Sequence, residues 1–243
     1  MTTQTSAPAR QMHPLDPLSP EEIRSAADIL RREGVLGDSA ALAQVVLDEP
    51  DKEVVARHRP GDPVERRVRL QVVPGPEPDV VEAVVSLGQG RVVSLAERKG
   101  ARPFLLFGEA LMAIVVTKEH PGWQEAMRRR GVSDLDKVQI DPWPAGAFGL
   151  EFEEGRRLAR CLAYVRHEPT DNGYAKPVEG LIAVVDLGRK EVVELLDYGP
   201  VPLPPENGSY LASQVGPLRT DLKPVEITQP EGPSFVVEGN LVR

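Results

Sequence analysis

A chain of 243 residues has room for one large domain or for two of about 100 residues, and its 41% hydrophobic and 27% charged content is that of a soluble protein able to bury a core. Twenty-four prolines and 21 glycines cut it into short elements, which excludes a long helical bundle. A formal net charge of −8 excludes a general affinity for nucleic acid or an anionic membrane, because phosphate binding needs a concentrated cationic face.

Residues 1–18 hold no apolar run long enough for a signal peptide and read as a disordered tail, and no later segment approaches a membrane span; the expectation is a cytoplasmic protein. The first element opens at Ser19-Pro20-Glu21-Glu22. Serine caps the orphan amides, proline suits the first helical position, and a glutamate three residues after the serine completes a capping box. Ile23, Ala26, Ala27 and Leu30 then repeat at helical spacing until Gly34. Four valine- or leucine-rich runs follow, at residues 41–47, 65–73, 80–87 and 91–97, each bounded by turn residues. A second helical region covers residues 104–118, continues after His120-Pro121-Gly122 as residues 123–130 and ends at Gly131. Four more strand-like runs succeed it, at 137–141, 157–165, 181–187 and 191–196.

The order of elements therefore repeats, and one stretch repeats in sequence. Residues 84–97 align without gaps with residues 184–197: Val84, Val85, Leu87, Gly88, Val92, Val93 and Leu95 recur as Val184, Val185, Leu187, Gly188, Val192, Val193 and Leu195. Each copy is a hairpin, two apolar strands around a glycine-containing turn. The expectation is an α+β chain of two related small domains, residues 19–99 and 100–197, each a helix packed on a four-stranded antiparallel sheet. Residues 198–243 are studded with proline and expected as an extended, semi-apolar linker lying against another surface.

Candidate chemistry is sparse. His13, His58, His120 and His167 lack the short spacings of many metal sites, and Cys161 sits in a strand-like run as a structural thiol. Gly88-Gln89-Gly90 leads into a hairpin, not the helix a dinucleotide fingerprint requires. Glu151, Glu153 and Glu154 read as a solvated connector, and Arg128, Arg129 and Arg130 as cations closing a helix against its dipole. Trp143, between two prolines, and Tyr174, in a polar loop, are candidate contact points for a ligand or partner, or else pack over a local apolar cluster.

Ser19-Pro20-Glu21-Glu22-Ile23, Asp141-Pro142-Trp143-Pro144-Ala145-Gly146, Leu162-Ala163-Tyr164-Val165, Pro177-Val178-Glu179-Gly180-Leu181, Gly216-Pro217-Leu218-Arg219-Thr220 and residues 223–235, ending in Gln229-Pro230-Glu231-Gly232-Pro233-Ser234-Phe235, together resemble the amino-terminal half of bacterial copper-containing primary amine oxidases. The resemblance implies two small related α+β domains and a linker into a large β-sandwich. That sandwich carries copper on three histidines, a topaquinone made from a tyrosine and an aspartate base. It deaminates a primary amine oxidatively to an aldehyde, releasing ammonia and hydrogen peroxide. The complete enzyme is expected as a homodimer.

None of that sandwich stands in this sequence, which has no Asn-Tyr-Asp/Glu tripeptide, so the chain alone is expected neither to bind the catalytic copper nor to oxidise amines. The resemblance implies a narrower role, with Pro142, Trp143, Tyr174 and Ala110 at the wall of the amine entry channel. Its partner would be the catalytic portion, and an ending at Arg243 fits a separate subunit, a truncation or a cleavage. A free-standing interaction or inhibitory module is the alternative, since fold alone does not separate the two.

Overall fold

The computed structural model describes residues 12–75, 79–206, 208–239 and 241–242. The first eleven residues of the expected tail lie outside them. The chain divides into two compact units, both of which realise the α+β design: a four-stranded antiparallel sheet packed with a helix.

In the first unit α1 (Pro20–Arg32) is followed by β1 (Ala41–Leu47), a short α2 (Lys52–Arg57), β2 (Arg67–Val73), β3 (Asp79–Ser86) and β4 (Arg91–Lys99), the strands lying in the order β1-β2-β3-β4. The capping box is present: Ser19 Oγ accepts the amide of Glu22, and Glu22 Oε2 accepts that of Ser19. The buried stripe of α1 is Ala26, Ala27, Ile29 and Leu30, while Ile23 stays 38% exposed in the first turn. It packs on alternate residues of the sheet, where Val68 opposes Val85 and Leu70 opposes Ala83. Residues 12–18 are held to this unit: Arg66 donates to the carbonyls of Pro14 and Pro17, and Leu18 packs against the core. The helix α2, which no sequence signal announced, buries none of its residues.

In the second unit α3 (Phe107–Glu119) and α4 (Pro121–Arg129) precede β5 (Val138–Pro144), β6 (Leu158–Val165), β7 (Leu181–Asp186) and β8 (Glu191–Asp197), in the order β5-β6-β7-β8. Pro121 forces His120 out of the helical region and starts α4 itself, while His120 Nδ1 accepts the Trp123 amide. Trp123, Met127, Ile140, Cys161, Ala163, Leu181, Ala183 and Val185 form the core beneath the helices. Cys161 is buried there, and burial pushes its thiol up to about 11, which suits a structural role. β5 is an edge strand, so it tolerates Pro142 and Pro144, neither of which can donate to a ladder. Beyond β8 the described chain has no helix or strand, only turns at residues 211–215 and 229–232, until a small hairpin of β9 (Val237–Glu238) and β10 (Leu241–Val242).

The repetition seen in sequence reaches the polar kernel of each unit. Glu22, at the third position of α1, pairs with Arg66 immediately before β2; Glu109, at the third position of α3, pairs with Arg157 immediately before β6. The carbonyl of Arg66 accepts the amide of Leu87, and that of Arg157 accepts the amide of Leu187. Both leucines belong to the hairpin stretch whose sequence recurs.

Candidate functional site

The site is built on the face of the second sheet turned away from its helices. Along β5 the pleat sends Ile140 and Pro142 toward α3 and α4, and Asp141 and Trp143 the other way. The register sets Trp143 beside Arg160 and Gln139 beside Tyr164 on β6. After β6 the chain loops out and returns, bridging Tyr164 to Pro177, and this loop carries Tyr174 in a single 3-10 turn, Gly173–Ala175. The loop is fastened at several points. Asp171 accepts the amides of His167 and Glu168, Asn172 Oδ1 accepts that of Tyr174, and the Asn172 amide donates to the Gly208 carbonyl.

Its fixed geometry delivers Tyr174 to β5. The Tyr174 hydroxyl and the Trp143 indole nitrogen each donate to Asp141 Oδ2, at 2.9 Å in both cases. Tyr164 meets Tyr174 edge to face, with ring centroids 4.9 Å apart. The hydrogen bond to Asp141 raises the Tyr174 pKa above its ordinary value, so the phenol stays a donor through neutral pH. Both Trp143 and Tyr174 remain 55% exposed.

A second cluster supports the same face. Arg160 donates to Ala145 O and to Glu153 Oε1, and the Phe148 ring lies 5.2 Å from its guanidinium. Glu153 is no solvated connector residue: it is buried, and its other oxygen accepts the amides of Phe148 and Leu150, which fixes the loop after β5. Phe148 is itself exposed.

Of the residues expected at a channel wall, Trp143 and Tyr174 come together. Pro142 takes the helix side of the strand, and Ala110 lies on α3, against that same side. The sequence reading missed Asp141, Tyr164 and Phe148. The alternation Gln139-x-Asp141-x-Trp143 is the signal that could have put Asp141 on the face of Trp143 had the strand been read past residue 141, whereas Tyr164 and Phe148 depend on register and loop path, which no local signal shows. Among the described residues no group of three or more His, Cys, Asp or Glu side chains is placed to hold a metal ion, and no helix is long and apolar enough to cross a membrane. The first unit has a polar cleft of about 790 Å³ between α2 and the sheet, whose Arg67 and Arg69 are already engaged by Asp48.

Two duplicated helix-on-sheet units with an aromatic cluster on the second define the class of chain, and comparison with known proteins supplies its family. Residues 19–95 match the AGAO-like N2 domain, and residues 109–210 match the N3 domain of copper amine oxidases. The chain is 39% identical over 239 residues to a histamine oxidase of Arthrobacter globiformis, a match covering 96% of this chain and 34% of that one. It is 41% identical over 233 residues to a primary amine oxidase of Arthrobacter sp. (strain P1), covering 95% and 35%. A solved copper-containing benzylamine oxidase of Hansenula polymorpha shares the fold, with a TM-score of 0.70 at 21% identity over 96% of this chain and 39% of that one. The chain belongs to the copper amine oxidase family, of which it carries the N2 and N3 domains. It spans about a third of the length of these curated relatives.

Proposed function

We propose that this chain is the non-catalytic amino-terminal part of a copper- and topaquinone-dependent primary amine oxidase, and that its second unit shapes the path by which the amine enters. The paired hydrogen bonds from Trp143 and Tyr174 to Asp141 carry this reading, because they hold two large, half-exposed rings in fixed places on one face. The relatives named as oxidising histamine and primary amines support the substrate class. In this reading copper and quinone belong to the part of the relatives that this chain does not span. Bound there, they supply the oxidation of amine to aldehyde with release of ammonia and hydrogen peroxide. This chain's residues bind, orient and admit. In the same reading the complete enzyme is a cytoplasmic homodimer.

Apolar surface supports a further partner surface from the catalytic portion. Phe107, Leu111 and Val115 form an exposed stripe at helical spacing on α3, and Val225 and Ile227 in the extended segment are 87% and 91% exposed. The test is Trp143→Ala in the enzyme assembled with its catalytic portion. Relative kcat/KM for bulky against small amines is expected to shift about tenfold, as loss of a pocket wall does; equal ratios across amines of different bulk would overturn the assignment.

A further inference from the structure

We propose that Asp141 is a docking post for alkylammonium ions, and that it favours amines with two positive charges over amines with one. Its part in catalysis rests on the entry-path reading above; the binding itself rests on geometry alone.

Asp141 is a half-buried carboxylate with no ion pair among the described residues, whereas four other acids of its unit have one. Glu109 is held by Arg157, Glu153 by Arg160, Asp186 by Arg156 and Asp197 by Arg129 and Arg130. The cation on the neighbouring strand β6 is Arg160, beside Trp143 in the ladder. Its hydrogen bonds run to Ala145 and Glu153 and Phe148 covers it, so it does not neutralise Asp141.

Both hydrogen bonds that Asp141 accepts from described side chains arrive at Oδ2. They fix the orientation of the carboxylate and leave Oδ1 available. Beside the carboxylate stand the half-exposed side chains of Trp143 and Tyr174, whose polar edges meet Oδ2, with Tyr164 edge to face against Tyr174. An alkylammonium ion satisfies both features: its N–H groups donate to the open oxygen and its charge is drawn to aromatic faces. A neutral ligand meets only the rings, and an anion is repelled. The attraction grows with ligand charge, so a diamine, doubly protonated at neutral pH, gains more than a monoamine. A second charge can also stay at the post while the first amine moves on.

The chain contains two tryptophans, Trp143 at the site and the fully buried Trp123, so the indole N–H region of an NMR spectrum provides a probe and an internal control. The 243-residue chain is titrated with 1,5-diaminopentane, n-pentylamine and 1,5-pentanediol at pH 7. The Trp143 signal is expected to move with both amines, with tighter apparent binding of the diamine, and to stay still with the diol, while Trp123 is unmoved. Asp141→Asn keeps an oxygen to accept from Trp143 and Tyr174 but removes the charge; diamine affinity should fall about fivefold or more, the scale of an exposed charge and cation–π contact. If the variant does not fold, the wild-type titration is repeated in 1 M salt, where screening should weaken the diamine and leave the diol unchanged. Equal diamine affinity in Asp141→Asn and wild type, no salt dependence, or a diol response matching the diamine overturns the proposal. Since no catalysis is measured, such a failure leaves the Trp143→Ala kinetic test untouched.

Discussion

Arg157 grips both carboxylate oxygens of Glu109, at 2.6 and 2.9 Å, with its own side chain 5% exposed. Glu109 uses one of those oxygens to accept the Leu106 amide as well, so a single residue joins the start of α3 to the start of β6. Arg66 and Glu22 make the same join in the first unit. Breaking such a pair from one side strands a poorly solvated charge. Arg157→Met is therefore expected to destabilise the second unit by about 3 kcal/mol, and hydrogen exchange should show the loss in β5 to β8 with protection in β1 to β4 retained. Arg66→Met should produce the opposite pattern.

The hairpin copies differ at one informative position. Gly90 takes φ +62° in the turn before β4, and its counterpart before β8 is Lys190, at φ +60°. A lysine in the left-handed region costs about 1 kcal/mol relative to the conformation it prefers. Lys190→Gly removes the clash at the price of a more flexible unfolded chain, and a net gain of about 0.5 kcal/mol is expected. Chemical denaturation with an unchanged m-value would check it.

Acid stability turns on Asp197. Hydrogen bonds from Arg130, with help from the Gly199 amide and Arg129, lower its pKa from 3.8 to about 2. The buried Arg130 also donates to the carbonyls of Ala126, Gly180 and Gly199, tying α4 to the entrance of β7 and the exit of β8. A carboxylate whose pKa is depressed on folding stabilises fully above its unfolded value, and that stabilisation is lost as pH falls through the folded one. The second unit should accordingly keep this contribution above pH 4 and lose it between about pH 4 and pH 2. Asp197→Asn should flatten that part of the pH–stability curve.

Elements with strong local signals were legible in the sequence. Ser19 and Glu22 mark a helix start through groups that bond each other, and valine runs between turns mark strands whatever their partners. The repeated hairpin carried the α+β duplication with it. What stayed hidden depends on distant partners. Arg128, Arg129 and Arg130 look alike in sequence, yet Arg128 pairs with Glu125 on the surface while Arg130 is buried against Asp197. Glu153 looked solvated beside Glu151 and Glu154 until the path of residues 145–157 folded it inward. At the site, Trp143 and Tyr174 could each be suspected, but the oxygen that joins them could not, because strand register and loop return decide that meeting.

The loop that presents Tyr174 has a dependence of its own. Gly208 approaches it so closely that a Cβ there would lie 2.6 Å from the Asn172 carbonyl oxygen and 2.9 Å from the Ala175 side chain. The first neighbour is backbone and cannot swing away, so Gly208→Ala must push the segment at residue 208 and the 3-10 turn apart. The Gly208 backbone also accepts the Asn172 amide, and Asn172 in turn caps Tyr174. Displacement should reach the tyrosine hydroxyl and break its bond to Asp141, while the core around Trp123 is untouched. Overpacking of this kind costs about 1–3 kcal/mol. The expected result is a modest fall in thermal stability with a shift of the Trp143 indole signal and none at Trp123. Tyr174→Phe, which removes only the hydroxyl, should move the same signal without the stability loss, and this separates the hydrogen bond from the strain.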